Sequence, residues 1–153
     1  TLQPFLAQQL GAEVTQGLWG AMDFWWTMGA NNPIAKLFVD DFLAKHKYKP
    51  YWPAHIAYSQ MQIWAAAVER ARSFNPIEVI KQLESGKPMT TSLGEVYYRA
   101  GDHQLIRPVP VMRGKKPSEM KSPDDYYELV QTVPGKDAVP PLEETNCKMG
   151  DLA

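Results

Sequence analysis

Tyr51-Trp-Pro-Ala-His-Ile-Ala-Tyr-Ser-Gln-Met-Gln-Ile-Trp-Ala-Ala-Ala-Val-Glu-Arg-Ala71 is the stretch on which the reading of this chain turns. Its second half spaces Ala57, Met61, Trp64, Val68 and Ala71 alternately by four and three. That is the apolar stripe of a helix packed on a core. Its first half crowds Tyr51, Trp52, Pro53 and His55 into what reads as an extended lead-in. Unpaired backbone N–H groups and the helix dipole there favour an anion, so the lead-in is a candidate ligand site.

On either side, asparagine followed by proline marks helix starts, because asparagine caps the free N–H groups and proline suits the first turn. Asn32-Pro33 predicts a helix to about His46 with Ile34, Leu37, Phe38 and Phe42 on one face. Asn75-Pro76, with Glu78 three residues after the cap, predicts another, with Ile77, Ile80 and Leu83 inward and Gly86 closing it. Pro4 to Leu10 reads as a short helix stopped by Gly11. Leu18 to Phe24, entered through Gly17 and ending at Trp25 and Trp26, reads as a buried strand.

Beyond Gly86 the period becomes two. Gly94 to Arg99 and His103 to Met112 are expected strands joined by the hairpin turn Ala100-Gly101-Asp102. Pro108 and Pro110 place the second strand at an edge or make it cross between two bodies. From Gly114 the composition turns to Lys, Pro, Asp and Glu. The expectation is therefore a domain over residues 1–113 and, over 114–153, a Pro-rich irregular tail tied down by Tyr126, Leu129 and Val130.

The 153 residues, 44% of them hydrophobic and 22% charged, suit one domain with a real core. A formal net charge of −1 provides no basic field for nucleic acid or anionic membranes. No apolar run reaches the roughly 18 residues of a membrane span, and no signal peptide is seen at the start. An opening on Thr1 and a single cysteine, Cys147, lead to the expectation of a piece of a longer protein.

His46, His55 and His103 lack metal-ligand spacing, Cys147 lies in a polar tail without a nucleophile signature, and no phosphate loop follows Gly17-Leu-Trp-Gly20. Neither a cofactor, a metal nor an enzymatic activity is expected. Asp102 before His103 reads as a turn former rather than a general acid. What remains is aromatic. Trp25 and Trp26, adjacent at a strand end, point to opposite sides, so one faces a cleft or a partner. His55 is either a hydrogen-bonded core residue or a ligand group.

In order, Gly17-Leu-Trp-Gly-Ala-Met, Asn32-Pro33, Ile56-Ala57-Tyr58, Ala67-Val68-Glu69-Arg70-Ala71 and Asn75-Pro76-Ile77-Glu78-Val79-Ile80-Lys81-Gln82-Leu83 carry a resemblance. They continue through Thr90-Thr91-Ser92-Leu93-Gly94-Glu95-Val96-Tyr97-Tyr98-Arg99, Gly101-Asp102-His103-Gln104 and Cys147-Lys148-Met149-Gly150-Asp151-Leu152. Together they resemble the C-terminal part of the branched-chain amino-acid type ABC transporter substrate-binding proteins, which have the type I periplasmic binding fold.

The resemblance implies a fragment of a three-layer α/β protein, with two lobes joined by three hinge-crossing strands and a small ligand held between them. It puts Leu18–Met22 in the second lobe and the helices from Pro33, Ile56 and Pro76 in the first. The strand near Val109 and Val111 crosses back. It implies a periplasmic protein that presents an amino-acid-like or carboxylate ligand to an ABC permease, with His55, Trp25 and Trp26 as ligand-facing residues. Histidine at position 55 departs from the aromatic side chain of the amino-acid binders. A rival from another class is a self-contained interaction domain whose tryptophans form a partner surface, with a dimer as one form of it.

Overall fold

The computed structural model describes residues 4–150. Asparagine-proline punctuation fixes its helices. Helix α3 spans Pro33–His46, and the Asn32 side chain accepts the N–H groups of Ile34 and Ala35 at 2.9 and 3.1 Å. Helix α5 spans Pro76–Glu84, with Asn75 accepting Ile77 N–H at 2.9 Å, while Glu78 pairs with Lys81. Before them come α1, Pro4–Leu10, and the short α2, Ala12–Thr15. Between α3 and α5 lies α4, Trp52–Ala71.

Packing divides the chain into two units, each assembled from separated segments. The residues through Ile56 join Val109–Val133, and Ala57–Pro108 joins the residues from Pro134 onward. In the first unit β1 (Trp19–Ala21), β5 (Val109–Gly114) and β6 (Tyr127–Val133) form an antiparallel sheet in the order β1-β5-β6. Its core gathers Ala7, Met22, Trp25, Met112 and Tyr127. In the second unit β2 (Met89–Thr91), β3 (Gly94–Arg99) and β4 (Gln104–Ile106) form an antiparallel meander. Ile63, Met89 and Val96 make its core.

Several expectations change. Helix α4 begins at Trp52, so His55 sits in its first turn rather than in an extended lead-in. Its buried line is His55, Ser59, Ile63 and Ala67, while Met61 and Trp64 are exposed and Trp64 lies against Phe74. The reason is close approach: small side chains at Ser59 and Ala67 let the helix settle on its neighbours, and bulk is left outside. On α3 the buried residues are Ala35 and Phe38, with Leu37 outside.

The strand expected at Leu18–Phe24 contracts to Trp19–Ala21, with Trp19 exposed. The strand expected at His103–Met112 splits at Arg107-Pro108, and its two halves enter different sheets. The passage from one unit to the other at Pro108 agrees with the crossing expected there. The edge position does not hold, because β5 is central. Pro110 is tolerated there because its carbonyl accepts Met22 N–H at 3.2 Å, while its missing donor faces a position just past the end of β1.

Within the expected tail, Tyr127–Val133 is β6, with Tyr127 buried and Val130 exposed. Helix α3, expected with α4 and α5, shares its unit with β1 instead. Asp151 and Leu152 of the closing motif lie outside the described residues.

Candidate functional site

The first unit concentrates rings. Phe24 ends the run after β1 with no exposed surface, and the His55 imidazole stacks on it with centroids 3.8 Å apart and planes 8° from parallel. Phe38 closes on both edge-on, at 5.8 Å from Phe24 and 5.4 Å from His55. His55 is fully buried in this stack. Its ring is held by aromatic neighbours that a linear sequence does not place beside it.

Trp25 and Trp26 part company at the start of the 3₁₀ turn Trp26–Asn31. Trp25 is extended, bridges backbone to Tyr51 and turns its ring into the core, where it meets Tyr127 edge-on at 5.3 Å. Burial pushes the Tyr127 phenol up, with a smaller push from Tyr126. Trp26 is half-buried and carries the Lys49 ammonium 3.6 Å from its ring centroid. Such a contact contributes on the order of 0.5–2 kcal/mol, depending on how dry it is.

Around that pair lies a concavity of about 570 Å³, lined by Trp25, Trp26, Tyr48, Lys49, Tyr51 and Asp124 among others. Lys49 Nζ donates to Asp124 Oδ1 at 3.1 Å and to Ser122 Oγ at 3.4 Å, and Ser122 Oγ donates to Asp124 at 2.6 Å. Desolvation pushes the Asp124 carboxyl up, but the hydrogen bonds from Ser122 and Lys49 outweigh it and hold the group below the usual aspartate range. Trp26 also lines a second concavity of about 500 Å³ with Val39, Lys115, Asp125, Tyr127 and Leu129. There Lys115 Nζ donates to the buried Asp125 carboxylate at 2.7 Å.

The indole N–H groups of Trp25, Trp26 and Trp52 are buried and without a hydrogen-bond partner among the described residues. Each buried unsatisfied donor costs about 1–3 kcal/mol, and native cores seldom keep several together. A flat ring and a cation in a concave setting suit a small ligand with an anionic or carbonyl end and an apolar body.

The model of a family described as periplasmic binding protein matches residues 2–119. The chain belongs to the periplasmic binding protein family. Among solved members, a periplasmic binding protein from Burkholderia mallei is 30% identical with a TM-score of 0.85, over 96% of this chain and 38% of its own. A branched-chain amino acid ABC transporter periplasmic ligand-binding protein from Burkholderia xenovorans is 25% identical with a TM-score of 0.77, over 94% and 37%. The leucine-, isoleucine-, valine-, threonine- and alanine-binding protein from Brucella ovis, in its closed conformation, shares the fold at 18% identity and a TM-score of 0.75, over 92% and 36%.

The chain thus spans well under half the length of these periplasmic binding proteins. No functionally curated protein matches it. Among the described residues no helix is long and apolar enough to cross a membrane.

Of the three side chains singled out in the sequence, the structure brings Trp25 and Trp26 to one concavity and buries His55 against Phe24 and Phe38. Sequence reasoning did not single out Lys49 or Asp124, which line this concavity. Tyr51 was in view within the lead-in. Lys49 and Asp124 are 75 positions apart, and only the fold joins them.

Proposed function

We propose that this chain is part of the solute-binding component of an ABC importer, exported to the periplasm and recognised by a membrane permease. It binds without chemistry. Its ligand is a small amino-acid-like or aromatic or aliphatic carboxylate, and the first unit supplies part of the site. Trp26 covers the apolar body and Lys49 meets the carboxylate, while Trp25 and His55 hold the wall in place.

The observation that carries this reading is the Lys49 ammonium set 3.6 Å over the Trp26 ring within a concavity of about 570 Å³. Membership of the periplasmic binding protein family supports it. The ligand named for the Burkholderia xenovorans protein supports an amino-acid-like molecule as the first to try.

The test is a fluorescence titration of the chain with leucine and with phenylacetate. Binding of at least one is expected, weakened at least tenfold by Lys49→Met and by Trp26→Ala. Identical curves for the wild type and both variants, or no response to either compound, would sink the assignment of this concavity.

A further inference from the structure

We propose that Asp124 is a built-in stand-in for the ligand's carboxylate: it holds Lys49 until a ligand carboxylate takes its place, and its release frees the loop over residues 115–126. The proposal rests on Lys49 being the group that meets the ligand.

An ammonium has three hydrogens to donate. Lys49 Nζ donates to Asp124 Oδ1 at 3.1 Å and to Ser122 Oγ at 3.4 Å, and the same nitrogen lies 3.6 Å from the Trp26 ring centroid. Ser122 Oγ in turn donates to Asp124 Oδ1 at 2.6 Å, so hydroxyl and carboxylate close on the cation together. The charge of Lys49 is therefore already matched. A second carboxylate brought to this nitrogen meets the first, and like charges crowded on one site repel. Asp124 is the one free to leave, because its side chain is 41% exposed and a half-exposed ion pair is weak. Despite desolvation, the hydrogen bonds from Ser122 and Lys49 keep its carboxyl below the usual range, so at neutral pH it competes as a full negative charge.

The loop that carries Asp124 is held together from within. Lys115 N–H donates to Tyr126 C=O at 2.8 Å and closes its neck. Lys115 Nζ and Lys121 N–H both donate to Asp125 Oδ2, at 2.7 and 3.0 Å, and Asp125 N–H donates to Ser122 C=O at 3.1 Å. Among the described residues, the hydrogen bonds joining this loop to chain more than a dozen positions away are the two from Lys49, which lies 73 and 75 positions before its partners. The adjacent aspartates thus have separate tasks. Asp125 builds the loop, and Asp124 tethers it to the cation of the concavity. Taking Lys49 from Asp124 unties the loop without dismantling it.

The experiment titrates the wild type, Asp124→Asn and Ser122→Ala by tryptophan fluorescence with phenylacetate and with its uncharged analogue phenylacetamide. Asp124→Asn should tighten phenylacetate by at least about threefold and leave phenylacetamide unchanged, with Ser122→Ala moving the same way by less. Trypsin cleavage after Lys121 reads the loop. Phenylacetate should speed it by at least about threefold in the wild type, whereas Asp124→Asn should be cut at the faster rate without any addition. Unchanged or weaker phenylacetate binding in Asp124→Asn overturns the proposal, as do equal gains for the two compounds or a wild-type loop that phenylacetate protects. If far-ultraviolet spectra show Asp124→Asn to be misfolded, the Ser122→Ala titration and the wild-type cleavage rate decide by the same criteria. Binding without these changes sinks the stand-in role alone. No response to phenylacetate in any of the three proteins sinks the assignment of the concavity, and the stand-in role with it.

Discussion

The first unit buries Phe24, Trp25 and Tyr127 almost fully while Trp19 and Tyr48 stay exposed, whereas the second leaves Trp64 and Phe74 outside around a core of Ile63, Met89 and Val96. The polar work is divided the same way. The first unit buries an ion pair, Lys115 with Asp125. The second has partly exposed charged contacts, where Arg99 grips Asp102 at 2.6 Å across a turn and Arg70 reaches the carbonyls of Lys87 and Pro88. Burying indole rings leaves the first unit with unsatisfied donors at Trp25, Trp26 and Trp52. The second unit closes its turns locally.

The largest effect should separate these two ways of placing charge. Lys115→Ala leaves the Asp125 carboxylate buried without its cation and should destabilise the first unit by about 3–5 kcal/mol. Arg70→Ala, on an exposed helix end of the second unit, should cost about 1 kcal/mol or less. Urea denaturation followed by residue-resolved exchange measures both. Equal losses would erase the distinction.

Glycine supplies the next contrast. A Cβ on Gly114 would lie 2.0 Å from the backbone oxygen of Thr15, whereas one on Gly101 would meet the Leu142 side chain at 2.4 Å. A side-chain end can swing away and a carbonyl in a packed turn cannot. Gly114→Ala should therefore cost about 3 kcal/mol, and Gly101→Ala about 1 kcal/mol. Melting of the two variants side by side decides it.

Helix caps come third. Asn32 satisfies two N–H groups and Asn75 one, so alanine should cost about 1 kcal/mol at position 32 and about 0.5 kcal/mol at position 75. Far-ultraviolet melting of both variants gives the comparison, and a larger loss at position 75 would break it.

The smallest effect is in pH. The Arg99 hydrogen bond holds the Asp102 carboxyl below its ordinary value, with desolvation opposing. A group depressed in the folded state contributes stability above its unfolded value of about 3.9, and loses that contribution as pH falls through the folded one. Stability of the second unit should therefore decline below about pH 4, and Asp102→Asn should flatten that decline. Denaturation series at pH 3 to 6 on both proteins check it; parallel acid limbs would remove Asp102 from the account.

The helices were legible because their signals are local. Asn32-Pro33 and Asn75-Pro76 carry cap and first turn within a few residues, and the bounds of α1, α3 and α5 follow the sequence reading closely. Strand membership was not local. Nothing near Tyr127 announces that it pairs with Gly114, and nothing near Pro108 says that one β-rich run feeds two sheets.

The site shows the same limit. Trp25 and Trp26 stood out as adjacent rings, but which one turned inward depended on Tyr51 and Tyr127. His55 looked available because imidazole is polar. Its burial comes from Phe24 and Phe38, and period-based reasoning about α4 had no access to either.

Each unit is assembled from two separated stretches of chain, and this sets a clock on synthesis. The first unit has its opening segment by Ile56 but does not have both β5 and β6 until Val133 has been made. At about 5–20 residues per second, that is a wait of roughly 4–15 s. For the first part of it Trp25 has neither Met112 nor Tyr127 to pack against, and until β6 begins it lacks Tyr127. The ring-rich half, which carries the candidate ligand contacts, therefore stays exposed on the emerging chain and closes only after the intervening segment has been made.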